Sequence, residues 1–294
     1  MSKKLRDYIL SFTFLLPALL LLAVFILYPV FSTLRLSFNS WRGIFGVPLK
    51  YVGLENYDQV LTSSTFWNAM LNSGYFMVGT FLILMPLAFM LGLLVTSKLR
   101  GTGFMKTMYY LPVILGTTTV ALMWRGMLNP NSGVLAGILA AIGRDDLIVD
   151  WLSLPTVNII TTVLVNSWMF SGFNMLIFAA GLSAISDVIN EAATIDGCSN
   201  LQRTWYITIP LCKNSFKIFS ILGITGCLKV FDIVFAMTGG GPNQASATPG
   251  ILVYQFAYAY RNYGRSSAVA MILLVLGVTL SASLNRILRQ EDLY

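Results

Sequence analysis

Six apolar runs, each long enough to cross a lipid bilayer, recur along the 294-residue chain and leave little room for any other architecture. They fall at about 8–36, 69–97, 107–128, 156–182, 215–237 and 266–288. A helix needs about 20 apolar residues to span the hydrocarbon core. Hydrophobic residues make up 56% of the chain and charged residues only 11%, against about 25% charged in soluble domains. No polar segment is long enough to form a separate soluble domain, so the expectation is one membrane domain over residues 1–294. The net charge of +7 is read as anchoring at the cytoplasmic face, with no sign of a nucleic-acid module.

The basic residues orient the spans. Lys3, Lys4 and Arg6 precede the first run, which is too long for a signal peptide and lacks a cleavage site. Pro17 and Pro29 are expected as local kinks within it. Lys98, Arg100 and Lys106 mark the next cytoplasmic turn, and Arg286 and Arg289 flank the last run. Six spans with both termini inside follow from the positive-inside rule. Residues 39–68, 129–155 and 238–265 then fall outside. The apolar piece 133–142 is too short to cross and is expected to lie along the surface. The polar segment 183–214 comes out cytoplasmic without being assumed so.

The chain has no histidine, which removes the commonest general acid–base and metal ligand. Cys198, Cys212 and Cys227 form no metal-binding or disulfide pattern. No P-loop occurs. The run Thr238 to Pro242 lacks the lysine, and the hydroxyl residue after it, of a phosphate cradle. No catalytic site, no metal site and no cofactor of the chain's own are expected.

The polar segment carries the most information. Ser186 and Asp187 are placed to cap a helix, and Glu191, Ala192 and Ala193 favour one. Gly197 allows a left-handed exit, with Asp196 just before it. A second, amphipathic helix would bear Trp205, Tyr206 and Ile207, and Pro210 would end or bend it. On the residues alone, Glu191 and Asp196 either keep the loop solvated or belong to a stub helix shaped for a groove in another protein.

The order E-A-A-x-x-D-G then I-x-x-P-L, over Glu191–Leu211, resembles the EAA loop of membrane subunits of binding-protein-dependent ABC importers. VGLENY (Val52–Tyr57), YYLP (Tyr109–Pro112), ALMW (Ala121–Trp124) and FDIVFAMTGGGP (Phe231–Pro242) resemble the maltose-type, carbohydrate branch of that family. The resemblance runs from about residue 8 to the sixth span. It implies an all-α polytopic helix bundle of about six transmembrane helices with a cytoplasmic coupling helix. By this likeness Glu191, Ala192, Ala193, Asp196 and Gly197 would dock an ATPase.

Ionisable groups inside a span are costly and usually paired or functional. Lys229 and Asp232, three apart in the fifth run, would share one helix face. They either pair with each other or line a polar path. In the fourth run, Asn166 and Asn174 need partners, and nearby aromatic faces either pack or stack on sugar rings. The resemblance places sugar contacts of the maltose-type permease at Asn166, Met169, Phe170 and Phe173.

What the resemblance implies is a permease subunit in a bacterial plasma membrane, importing a sugar, an oligosaccharide or a glycerol phosphate. Its implied partners are a second, different permease, an ABC ATPase dimer holding ATP and Mg, and an external solute-binding protein. The alternative is a secondary transporter or channel working alone. That reading predicts intramembrane carboxylates for ion coupling, and Asp232 is the only acid placed within a span.

Overall fold

The computed structural model describes residues 3–44, 46–97 and 99–287. Lys98 and Arg289, used in the charge argument, and Leu288, the expected end of the sixth span, lie outside the described residues. The fold is all-α. Phe12–Ser37, Ser64–Thr96, Val157–Ser183 and Tyr263–Ile287 are long and apolar enough to cross a membrane. Two bent pairs, Thr102–Ile114 with Thr117–Met127 and Asn200–Leu211 with Lys213–Leu228, bring the number to six if each is one span. Among the described residues the only strand pairing sets Asn39 against Tyr51 and Ser40 against Lys50, antiparallel.

Prolines shape three of these helices in the same way. A proline ring collides with the carbonyl four residues earlier and supplies no N–H. For Pro29, Pro86 and Pro210 those earlier residues are Phe25, Leu82 and Tyr206. Each lies in a wider π turn, at Ala23–Leu27, Thr80–Leu84 and Thr204–Thr208 respectively. The extra residue in the turn carries the obstructing carbonyl clear of the ring and lets the helix continue.

Three expectations are corrected. The third run is two helices bent by 91°, because Gly116 takes φ 80° and ψ 147° where a helix cannot continue. The fifth run is a helix over Lys213–Leu228, a break, and a second helix over Asp232–Met237. Lys229 and Asp232 therefore flank an interruption and share no helix face. The segment expected as an external loop to Arg265 is instead partly buried and partly helical, over Pro249–Tyr254 and Gln255–Ala259. The short apolar piece 133–142 is helical over Val134–Ala141.

The chain divides into two compact units. One comprises the chain up to Ser63 with Val253–Leu274, the other Ser64–Leu252 with the chain from Val275. In the first, the VGLENY stretch closes the end of the Tyr28–Ser37 helix. Buried Asn56 donates from Nδ2 to the carbonyls of Ser37 (2.9 Å) and Asn39 (3.0 Å), and the Tyr57 hydroxyl donates to Ser37 Oγ at 2.7 Å. Asn56→Ala strands two carbonyls and is expected to destabilise this unit by about 1–3 kcal/mol. Thermal unfolding of the detergent-solubilised protein measures it, with Asn56→Asp expected to be no better.

The second unit is built around Val157–Ser183. Phe178, fully buried on that helix, meets Phe89, Phe216 and Phe219 at ring distances of 5.5, 4.8 and 5.5 Å. Gly172 sits on the backbone of Tyr109 and Tyr110, which leaves no room for a Cβ there, so the start of the YYLP stretch packs closely against this helix. That packing fixes the face on which the fourth run presents its polar residues.

Candidate functional site: a capped helix and a cavity

The nine-residue helix Asp187–Ile195 is closed at both ends. Ser186 is its N-cap, and its Oγ accepts the Val188 N–H at 3.3 Å. Asp187 sits in the first turn, where its charge complements the helix dipole. At the other end Gly197 adopts φ 76°. Its N–H reaches the Thr194 carbonyl (3.1 Å) and the Cys198 N–H reaches that of Ala193 (2.9 Å). These are the two bonds of a Schellman cap. Ser199 and Gln202 then form a reciprocal capping box that starts the next helix.

Glu191, Ala192, Asp196 and Gly197 are exposed, whereas Ala193 is 5% exposed and turned into this chain. Of the five expected contact residues, four stand on the open surface and Ala193 supports them from behind. Exposed apolar side chains surround them, Val188, Ile195, Leu201, Trp205 and Tyr206. The second helix ends at Leu211, one residue past Pro210, and the chain bends by 68° at Cys212.

Within the second unit lies a cavity of about 470 Å³. Asn166, Phe170, Phe173 and Asn174 enter it from one helix and Lys229 and Asp232 from the broken one. The first four are spaced i, i+4, i+7 and i+8, which puts them on one face. Met169 does not line it. At 1% exposed it lies in the core beside Phe76 and Val120, about 60° round the helix from Asn166.

Lys229 and Asp232 form no ion pair among the described residues, where the only pair is Arg144–Asp146 at 2.9 Å. That pair is fully exposed; the Arg144 guanidinium holds the Asp146 carboxyl below its usual range. Asn174 bonds back to the Phe170 carbonyl at 2.9 Å, and the Asn166 amide makes no hydrogen bond among the described residues. The cavity thus offers one cation, one carboxylate and an amide with no hydrogen bond among the described residues, with Phe170, Phe173, Phe219 and Phe231 also in its wall. Such a surface suits a polyol ring, with hydroxyls at the polar groups and C–H faces on the aromatics.

The glycine-rich segment beyond the cavity holds groups that sequence reading missed. Buried Asn72 donates to the carbonyls of Ala245 (2.9 Å) and Ala247 (2.8 Å), and buried Asn158 donates to that of Gly241 (2.7 Å). Thr238 and Ser246 hydroxyls meet at 2.8 Å. Thr80 and Cys227, both at the cavity wall, meet at 3.3 Å. The signal for Asn72 and Asn158 was available, since an asparagine in an apolar run needs a partner.

Residues 77–291 match the family described as binding-protein-dependent transport system inner membrane component. The chain is similar to the trehalose/maltose transport system permease protein MalF of Thermococcus litoralis, with 32% identity covering 93% of this chain and 91% of that one. It is 31% identical to the sn-glycerol-3-phosphate transport system permease protein UgpA of Agrobacterium fabrum, covering 93% and 92%. A crystal structure of a bacterial ABC transporter involved in the import of the acidic polysaccharide alginate contains a chain of the same fold. The TM-score is 0.83, with 21% identity and coverage of 98% and 97%.

Proposed function

The chain belongs to the binding-protein-dependent transport system inner membrane component family, and from that premise we propose how this multi-pass permease of an ABC importer works. Its cargo is a sugar or oligosaccharide, which passes through the cavity between Asn166, Phe170, Phe173 and Asn174 on one side and Lys229 and Asp232 on the other. The observation that supports this most is the convergence of these six residues, from two distant parts of the sequence, on one cavity. Met169 packs behind them.

ATP and Mg bind to a separate ATPase dimer, and this chain supplies no catalytic group. Glu191, Ala192, Asp196 and Gly197, backed by Ala193, dock that dimer, and nucleotide-driven closure moves the capped helix against the spans. A second, different permease completes the path and an external solute-binding protein delivers the cargo. Both termini lie in the cytoplasm of a bacterial cell. A glycerol phosphate is the second reading of the cargo, favoured by the Lys229 ammonium, which has no anionic partner among the described residues.

Uptake by the assembled importer in proteoliposomes tests this. Uptake should require ATP inside or outside according to orientation, and should persist when proton and sodium gradients are collapsed. A stand-alone carrier gives the opposite pattern. Phe173→Ala and Asn166→Ala are each expected to weaken apparent substrate affinity about tenfold, or about 1.4 kcal/mol, with normal amounts of assembled protein. Unchanged affinity in both would assign these residues to packing.

A further inference from the structure

The break in the fifth run leaves a carbonyl to account for. The Lys213–Leu228 helix stops with the Lys229 N–H on the Gly226 carbonyl at 2.9 Å, and helix resumes only at Asp232. Val230, between them, is outside any helical ladder. Its carbonyl accepts a hydrogen bond from Thr248 Oγ1 at 2.6 Å. Thr248 is completely buried, while Val230 is half-buried at the cavity wall.

Thr248 is itself held. Ala245 and Ala247, just before it, are gripped by the Asn72 amide. Gly241 is gripped by Asn158 and by the Ser246 hydroxyl at 2.8 Å. Gly250, two residues on, lies so close to the break that a Cβ there would stand 2.9 Å from the Val230 oxygen. The segment 238–250 therefore packs on the interruption itself. Asn72 belongs to the Ser64–Thr96 helix, whose Thr80 and Leu84 line the same cavity.

We propose that Thr248, fixed by Asn72, is a positioning residue: it holds the Val230 carbonyl out of the helix and so keeps Lys229 and Asp232 turned into the cavity. This rests on reading that cavity as the transport path. A helix allowed to close across Val230 would carry Asp232 round its axis, since each residue adds about 100°. The buried polar segment acts as a wedge whose hydroxyl is matched to one carbonyl. A side chain of the same shape without the hydroxyl leaves that carbonyl unpaired and the break without its restraint.

The test uses the whole importer in proteoliposomes, with Cys198→Ser, Cys212→Ala and Cys227→Ala and a reporter at Asp232→Cys. The rate of labelling by a charged methanethiosulfonate reports whether position 232 faces the cavity. Thr248→Ser should label as its parent does. Thr248→Val should label about tenfold more slowly, equivalent to about 1.4 kcal/mol. Equal rates in the serine and valine variants would overturn the proposal. Should Thr248→Val fail to accumulate, Gly250→Ala, which presses on the same carbonyl, is expected to slow labelling likewise, and an unchanged rate there also overturns it. In the native-cysteine background, Thr248→Val should raise KM for uptake more than it lowers the maximal rate. Slowed labelling with unaltered KM would leave the clamp standing and remove the cavity from the transport path.

Discussion

Gly197→Val is expected to cut ATP-driven uptake at least tenfold while the spans fold and the subunits assemble. The position requires φ 76°, where an L-residue costs about 1–2 kcal/mol and a β-branched one is a genuine outlier. No atom lies within 4 Å of a Cβ there, so the penalty is conformational and owes nothing to a clash. Relief of the strain would break the two capping bonds to Ala193 and Thr194 and release the end of the coupling helix. Asparagine, which tolerates the left-handed region, should retain most of the uptake. Uptake and ATPase rates measured together on the two variants decide it. If valine and asparagine behave alike, the left-handed cap is irrelevant to coupling.

Gly172→Ala is expected to remove most of the assembled protein. A methyl group there overlaps the Tyr109 carbonyl and comes within 2.8 Å of the Tyr110 nitrogen. Both obstacles are backbone, which cannot rotate away as a side chain would. Overpacking costs about 1–3 kcal/mol and occasionally more, and an inflexible neighbour puts this case at the upper end. Gly137→Ala is the control, because a Cβ at Gly137 meets nothing within 4 Å and the change favours helix by up to about 1 kcal/mol. Steady-state membrane levels and the Tm of the purified complex should fall for position 172 and hold for position 137. Equal levels would mean that the Thr102–Ile114 helix can slide on its neighbour.

The sequence made the apolar runs plain because a membrane span is encoded in many consecutive residues at once. The capped helix Asp187–Ile195 was equally plain, since Ser186, the alanines and Gly197 each carry local backbone chemistry that needs no partner to take effect. The two interruptions were hidden. Gly116 follows an apolar stretch and precedes three threonines that a membrane helix tolerates, so hydropathy averaged along the chain passes over it, and nothing in Leu228–Asp232 forbids helix. The break there depends on Thr248, which is eighteen residues further along, and distant pairings leave no periodic trace. Thr238–Gly250 looked like a solvated loop because its composition is polar. It is partly buried, most deeply over residues 246–249, because Asn72 and Asn158, well upstream, supply donors that water would otherwise provide. Four of the cavity residues share a helical spacing that the sequence shows, whereas Met169 was expected there only from the family resemblance and packs in the core instead.

The wide turn at Thr80–Leu84 has a consequence for the arithmetic of its helix. Buried positions advance there by fours, from Phe76 to Thr80, Leu84 and Ala88. In a regular helix each step of four overshoots a turn by about 40°, and three of them would swing the inward stripe about 120° away. The additional residue in the π turn absorbs most of that drift, so Asn72 at one end and Ala88 and Leu91 at the other remain on inward-facing sides of a single rod. Pro86 and the phase of the buried stripe are thereby one constraint: a chain one residue shorter in this turn would point its second half at the lipid.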